Sequence, residues 1–158
     1  MDKKMKTPIT YYGGKQKLAS LIIKNIPPHT VYTEAFAGGA AVFWAKEPSK
    51  VEYINDTNDW LVTFYRVLKN HYGILRKMVN ETLYSRAAHR RAAFVLKYSE
   101  NHNQIEVAWA FWVQTNMSFA SKIFGGISFD NSGQGLGVLA TKKTNFSKQL
   151  SKRLENVY

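Results

Sequence analysis

The stretch "YTEAFAGGAAVFWA", Tyr32 to Ala45, places Gly38 and Gly39 between two apolar runs. The run before the glycines is rich in β-branched and aromatic residues and predicts a strand over Val31–Phe36. The run after them, closed by Pro48, predicts a short helix. A turn without side-chain bulk lets the backbone approach a ligand closely, and the following helix presents free N–H groups there. This turn is therefore a candidate ligand site, although many strand-to-helix turns of this kind bind nothing.

A second strand and helix follow the turn. Lys50–Asp56 has the composition of a strand, and Thr57 or Asn58 is placed to cap the next helix. That helix carries an apolar stripe of Leu61, Phe64, Tyr65 and Leu68. Strand, helix, strand and helix in this order predict a right-handed crossover unit of a parallel sheet, which makes the fold class α/β. Ligands of such sheets lie beyond the carboxyl ends of the strands, so we expect Asp56 beside the glycine turn, where it can accept hydrogen bonds from ribose hydroxyls.

The opening segment "ITYYGGKQ", Ile9 to Gln16, contributes further candidate ligand groups. Gly13, Gly14 and Lys15 do not satisfy the phosphate-loop pattern, because Gln16 follows the lysine and no strand precedes it. An aromatic pair beside a lysine suits a ligand that has both a carboxylate and a flat or sulfonium group, although a surface turn with a solvated lysine is equally compatible. Glu34 is either a further polar group of this site or an end-of-strand carboxylate facing water.

Composition excludes several classes of protein. The chain has 158 residues, 45% of them hydrophobic, which is enough for the core of one ordinary domain. Cysteine is absent and the four histidines are scattered, so we expect no disulfide and no metal site. No apolar run approaches the roughly 20 residues that span a bilayer, and the basic start lacks the apolar stretch of a signal peptide. We therefore expect a cytoplasmic protein.

Positive charge is concentrated in the second part of the chain. Residues 1–60 hold 8 basic and 6 acidic side chains, whereas residues 61–158 hold 14 and 5, within a net charge of +11. A near-neutral front and a basic rear predict that a polyanion contacts the rear, with a merely solubilising surface as the alternative.

The remaining pattern is mostly helical. Lys15–Ile26 predicts a helix with an apolar face of Leu18, Leu21, Ile22 and Ile26, stopped by Pro27-Pro28. Further helices are predicted in the middle of the chain, where Trp109 and Trp112 are expected to be core residues rather than stacking platforms for bases. Glycines and turn signals over Lys122–Lys143 predict a β-hairpin. The pattern of Phe146, Leu150 and Leu154 predicts a last amphipathic helix with these residues on its apolar face. Residues 156–158 are compatible with another strand.

Three motifs together carry a family resemblance. "ITYYGGKQKL", "EAFAGGAAVF" and "YINDTN", in this order and spacing, resemble the N-terminal half of the Dam-like adenine-specific DNA methyltransferases. The resemblance is clear over about 8–58 and looser over 109–143. It implies methyl transfer from S-adenosylmethionine to the exocyclic amine of adenine in double-stranded DNA. It also implies an incomplete Rossmann-like sheet with a mostly helical DNA-recognition insert that carries a β-hairpin.

The resemblance also implies roles for individual residues. The positions that match the family's cofactor motifs are Tyr11, Lys15, Glu34, Phe36, Gly38, Gly39 and Asp56. Candidates for contacts near the target base are Asn116, Ser118, Ser121 and Lys122. Candidates for phosphate contacts are Arg86, Arg90, Arg91, Lys142 and Lys143.

The family's catalytic signature, Asp-Pro-Pro-Tyr, does not occur in the 158 residues. It accepts the two hydrogens of the adenine amine and stacks the flipped base. The single Pro-Pro pair, Pro27-Pro28, precedes the glycine turn and is interpreted as a helix stop, so no catalytic residue is assigned. We therefore expect half of a cofactor domain over 1–68, a DNA-recognition region over 69–143 and a returning helix over 144–158.

Three explanations of the missing motif remain open: a split enzyme completed by another polypeptide, a truncated product or fragment, and a homodimer that covers an open sheet edge. Truncation or complementation is favoured over a self-sufficient enzyme. Two further functional hypotheses are a non-catalytic DNA- or cofactor-binding remnant or subunit, and a basic nucleic-acid module that binds no cofactor.

Overall fold

Two parallel strands flank the glycine-rich turn in the computed structural model, which describes residues 5–128 and 135–158 of the chain. β1 (Val31–Glu34) pairs in parallel with β2 (Val51–Ile54), in a register that sets Val31 opposite Val51. The connection between them contains the short helix α2 (Ala41–Ala45). The predicted strand–helix–strand order is confirmed.

The last residues of the chain extend this sheet. Helix α8 (Lys148–Arg153) leads to residues 156–158, which run parallel to β2 on the side away from β1. The N–H of Tyr158 donates to the carbonyl of Glu52 at 2.8 Å, and the N–H of Glu52 donates to Asn156 at 3.2 Å. The expectation that 156–158 act as a further strand agrees with this pairing. The buried seam of Phe146, Leu150 and Leu154 is confirmed as well.

Four helices form the middle of the protein: α3 (Asp59–Asn70), α4 (Tyr72–Glu81), α5 (Arg86–Lys97) and α6 (Gln104–Met117). The side chain of Asn58 caps α3 by accepting the N–H groups of Trp60 and Leu61. Its predicted apolar stripe is buried: Leu61, Phe64, Tyr65 and Leu68. α6 packs against the other three helices and buries Trp109 and Trp112, which confirms them as core residues.

The first predicted helix is shorter than expected and its apolar face is partly uncovered. α1 spans only Ala19–Lys24, because the N–H of Leu18 closes a tight turn onto Lys15 instead of continuing a helix. Leu18 and Leu21 are 55% and 61% exposed. Ile22 and Ile26 of the same apolar set are half-buried, and Ala19 is the buried residue of α1, which packs against α2.

The predicted hairpin over 122–143 is wrong in its second half. Residues Gly135–Asn145 form helix α7, in which Leu139 is buried and Lys142 and Lys143, at helical spacing from it, are half-buried. The first half contains an isolated antiparallel bridge between Ser118 and Ile127 that closes a tight loop. The turn signal at 130–133 lies outside the described residues. The glycines in this segment favoured a turn in the sequence analysis. The chain instead forms a helix, with Leu139, Lys142 and Lys143 spaced along one side of it.

The two faces of the sheet differ sharply. Val31, Thr33 and Tyr53 share one face by register and are exposed, as is Tyr158 beside them. Parallel sheets are normally covered on both faces, so this face is unusual. The opposite face is covered, and one hydrophobic cluster continues from it through all three predicted segments of the chain. The division at 68 and 143 stays a prediction.

The covered face contains a buried ion-paired carboxylate. Glu52 is fully buried and pairs with Lys46 and Arg153, whose side chains are only 3% and 7% exposed. Burial alone raises the pKa of Glu52, but hydrogen bonds from Arg153 and Lys46 outweigh it and hold that pKa below its usual value. The Arg153 guanidinium also donates to the carbonyl of Phe43 and lies 3.8 Å from the centre of its ring. This cluster ties α8 to β2 and α2.

No helix within residues 5–128 and 135–158 has the length and apolarity that crossing a bilayer requires.

Candidate functional site

A cavity of about 210 Å³ lies at the carboxyl ends of β1 and β2, beside the glycine-rich turn. Its lining includes all seven predicted cofactor residues: Tyr11, Lys15, Glu34, Phe36, Gly38, Gly39 and Asp56. The fold brings them together because parallel strands end at the same edge of a sheet. Tyr12, the second member of the predicted aromatic pair but not one of the seven selected residues, also lines the cavity and is exposed. Its position inside the "YYGGK" motif was the available signal.

The bareness of the glycine turn is explained partly by Tyr11. Gly38 has a φ of +51°, a conformation that favours glycine. A Cβ on Gly38 would lie 3.2 Å from the Tyr11 ring, and one on Gly39 would lie 3.1 Å from the Tyr11 Cβ. The opening motif and the glycine turn are thus one packed unit. The glycines make room for this side chain as well as for the cavity.

Asp56 fastens the end of β2 to the turn. Its Oδ2 accepts the N–H of Gly38 at 2.8 Å and its Oδ1 accepts the N–H of Asn58 at 3.0 Å. An ionised carboxylate has about four acceptor positions, so two remain for other donors. Because the side chain is half-buried and lines the cavity, these positions suit a pair of ligand hydroxyls.

Glu34 places a second carboxylate at the cavity. Its Oε1 accepts the N–H of Phe43 at 2.7 Å and the hydroxyl of Tyr32 at 2.9 Å. Burial raises the pKa of Glu34, although those hydrogen bonds and the Lys15 ammonium oppose the shift. Burial likewise raises the pKa of the Tyr32 hydroxyl. A partly desolvated carboxylate at a cavity wall is stabilised by a cationic ligand.

A second cavity of about 620 Å³ adjoins the first. It shares Tyr11 and Tyr12 with the first cavity, and its other wall is formed by residues 119–123. Two predicted DNA-contacting residues, Ser121 and Lys122, lie in this wall, and Lys122 is exposed. A ligand bound here is therefore next to the first cavity.

The predicted phosphate-contacting arginines lie on α5. Arg86, Arg90 and Arg91 are all exposed. The Arg91 guanidinium lies 5.6 Å from the centre of the Trp109 ring, which fixes its stem against α6. The three arginines give α5 a basic outer surface.

Ser118, a predicted contact near the target base, is buried in the structure. This residue is only 5% exposed, and its hydroxyl lies 2.8 Å from His89 Nε2 and 3.3 Å from Gln114 Oε1. Its contact with DNA stays a prediction. The spacing along α6 did not reveal this burial, because the histidine partner comes from another helix.

Three more predicted DNA residues make internal contacts. Asn116 accepts the hydroxyl of Thr10 at 3.2 Å and donates to Trp112 at 2.9 Å. Lys142 also bonds Thr10, and its burial, with nearby Lys6, lowers the pKa of its ammonium group. Their contact with DNA stays a prediction.

Lys143 likewise holds two internal segments together. Its ammonium donates to the carbonyls of Asn80 and Thr82 at the end of α4. The structure thus does not gather the predicted DNA residues at one place. The arginines on α5 and Lys122 are exposed and Ser121 is half-buried, whereas Asn116, Ser118, Lys142 and Lys143 bond to other parts of the fold.

Comparison with known families identifies the kind of protein to which this geometry belongs. The model of a family described as D12 class N6 adenine-specific DNA methyltransferase matches residues 11–156, while no curated protein gives a match. The matched range contains every residue of the first cavity and confirms the resemblance to adenine-specific DNA methyltransferases. The methyl donor that this family implies is S-adenosylmethionine. The chain therefore belongs to the D12 class of N6 adenine-specific DNA methyltransferases.

Proposed function

We propose that this chain binds S-adenosylmethionine in the 210 Å³ cavity and duplex DNA on the surface beside it. In this proposal it forms the cofactor- and DNA-binding part of an adenine N6-methyltransferase. The observation that carries the proposal is that all seven cofactor residues, drawn from three separate motifs, line one cavity in a member of this family.

The chemistry of the lining fits the cofactor. Asp56 has free acceptor positions for the two ribose hydroxyls, and the Tyr11 ring with the bare backbone of Gly38 provides a flat surface. The Lys15 ammonium suits the methionine carboxylate, and the Glu34 carboxylate suits the positive charge of the sulfonium group. When bound, the cofactor supplies an electrophilic methyl group. These residues bind and orient it.

Duplex DNA is proposed to cover α5 and the second cavity. Arg86, Arg90 and Arg91 are exposed and positively charged, as phosphate contacts require, and Ser121 and Lys122 lie at the cavity nearest the cofactor site. The excess of 14 basic over 5 acidic side chains in residues 61–158 agrees with this placement.

Methyl transfer is proposed to require additional protein. The 158 residues contain no Asp-Pro-Pro-Tyr, and the Pro27-Pro28 pair precedes β1, at the end of the sheet opposite the cavity. The exposed face of Val31, Tyr53 and Tyr158 is the surface that a complementing polypeptide or a second copy would cover. Absence of the motif equally favours the second candidate function, a non-catalytic cofactor- and DNA-binding subunit.

Isothermal titration with S-adenosylmethionine tests the binding site. We expect Asp56→Ala to weaken binding by about tenfold or more, because hydrogen bonds to a charged group contribute roughly 1.5–3 kcal/mol. Asp59→Ala is the matched control, since Asp59 is exposed and lies outside the cavity. Negligible binding by folded wild-type protein, or equal affinity of the wild type and Asp56→Ala, would remove the cofactor proposal.

A methyl-transfer assay with labelled cofactor and duplex DNA tests the requirement for additional protein. We expect no transfer by this chain alone and transfer after addition of a polypeptide that carries Asp-Pro-Pro-Tyr. Transfer by the isolated chain would contradict the requirement while leaving the binding proposal intact.

A further inference from the structure

The loop of residues 119–127 has an unusual backbone. Ala120, Ser121 and Phe124 have positive φ values of 52°, 57° and 62°, which cost side-chain-bearing residues energy. The loop is closed by a hydrogen bond of 2.8 Å from the N–H of Phe119 to the carbonyl of Gly126. Strained backbone of this kind persists only where the surrounding structure holds it.

A buried glutamine of α6 holds this loop from below. Gln114 is fully buried, and its Oε1 accepts the N–H of Phe124 at 2.9 Å. The same oxygen accepts the hydroxyl of Ser118, at the entry to the loop, at 3.3 Å. One amide oxygen therefore binds both the entry of the loop and one of its residues with positive φ.

A histidine of α5 completes the network. The Nε2 of His89, a buried side chain, lies 2.8 Å from the Ser118 hydroxyl, and the Gln114 amide donates to the His89 carbonyl at 2.9 Å. Two of these four hydrogen bonds thus join α5 to α6 or to its C-cap residue Ser118. The position of the loop is set by the same contact that fixes α5, which carries the exposed arginines.

We propose that Gln114 and His89 are positioning residues that hold the 119–127 loop, through Ser118 and Phe124, in the shape that forms the wall of the second cavity. This inference rests on the proposed function, because it gives the loop its role in holding DNA beside the cofactor cavity. It gives a role to the buried glutamine of a largely apolar helix.

The structure provides a spectroscopic probe of the loop. The Phe124 ring packs edge-on against Trp60, with 5.7 Å between ring centres. Trp44, Trp109 and Trp112 are buried, whereas Trp60 is half-buried. Acrylamide quenching of tryptophan fluorescence therefore responds mainly to Trp60 and to whether Phe124 covers it.

The test compares Gln114→Met with Thr115→Val. Both remove a buried polar group from α6, but the Thr115 hydroxyl bonds only carbonyls of its own helix. We expect Gln114→Met to increase acrylamide quenching and to weaken duplex DNA binding by about tenfold. A change of this size corresponds to the loss of one or two hydrogen bonds. Thr115→Val should change neither, and both variants should bind S-adenosylmethionine as wild type does.

If acrylamide quenches Gln114→Met to the same extent as the wild type, the positioning role is overturned, whether or not the protein binds S-adenosylmethionine. Loss of cofactor binding by the wild type would instead overturn the proposed function. Should Gln114→Met not fold, Ser118→Ala removes the hydroxyl between the two positioning residues at smaller cost. The expected result for Ser118→Ala is the same change in quenching at lower amplitude, and no change would overturn the inference.

Discussion

The strand-end region and the helical region of this protein differ in how they arrange their predicted site residues. At the ends of β1 and β2, all seven residues inferred from motifs meet at one cavity. In the helical region, nine residues inferred as DNA contacts divide into exposed side chains, internally bonded ones and the buried Ser118. The predicted cofactor residues therefore lie together, whereas the predicted DNA contacts lie apart.

The difference follows from how each region places its side chains. A residue at the carboxyl end of a parallel strand is brought to the sheet edge by the pairing itself, so its sequence position suffices. A residue on a packed helix faces outward or inward according to which neighbours cover that helix. Ser118 shows this, because its partner His89 comes from α5.

The largest expected effect concerns the buried ion cluster of Glu52, Lys46 and Arg153 beneath the strand-end region. Glu52→Ala leaves Lys46 and Arg153 as buried cations without their carboxylate, and we expect a loss of about 3–5 kcal/mol in the free energy of unfolding. Denaturant unfolding measures it, with exposed Glu47→Ala as the control. A loss below about 1 kcal/mol would show that the ion cluster does not hold α8 to the sheet.

A smaller effect is expected at the glycine turn. Gly38→Ala forces a Cβ to within 3.2 Å of the Tyr11 ring at a φ of +51°, so we expect a loss of about 1–3 kcal/mol and weaker binding of S-adenosylmethionine. Gly73→Ala on α4 meets nothing within 4 Å and should stabilise the protein by up to about 1 kcal/mol. Equal behaviour of the two variants in thermal unfolding would contradict this account of the turn.

The helical region is tested by the dependence of DNA affinity on salt. We expect the logarithm of affinity to fall steeply with the logarithm of salt concentration, and Arg90→Gln to reduce that slope by about 1. Lys24→Gln, at an exposed end of α1 away from α5, should leave the slope unchanged. Fluorescence anisotropy with labelled duplex measures both, and a slope unaffected by Arg90→Gln would exclude this arginine from the interface.

The smallest expected effect is the pH dependence due to His89. Burial lowers its pKa from 6.5, so the folded state favours the neutral ring. Above about pH 6.5 the His89 side chain is neutral in the unfolded state as well, so the folded state loses no stability there. As pH falls from 6.5 toward the lowered pKa, the unfolded state takes up the proton first and this stability is lost.

Thermal midpoints of the wild type between about pH 7.5 and 5.5 should therefore fall more than those of His89→Gln. Replacing the exposed His71 by glutamine is the control. Identical pH profiles of the wild type and His89→Gln would show that His89 does not report on the junction of α5 and α6.

Much of the fold followed from local patterns. The two strands, the Asn58 cap, the stripe of α3 and the buried tryptophans were predicted because each depends on periodicity or on neighbouring residues. The second half of the hairpin over 122–143 and the length of the first helix were not correct. The glycines favoured a turn where the chain forms helix α7. The leucines favoured a longer first helix, but Leu18 and Leu21 remain exposed in the structure.

By itself, the sequence determined the strand–helix–strand order, the motifs whose seven selected residues line one cavity, and the excess of positive charge in residues 61–158. Only the tertiary structure decided that Tyr11 occupies the space above Gly38 and Gly39, that Glu52 is neutralised by Lys46 and Arg153, and that Ser118 faces His89. The physical reason is range: backbone preference and side-chain period act over a few residues. Burial and pairing depend on segments that are distant in the sequence and adjacent in space.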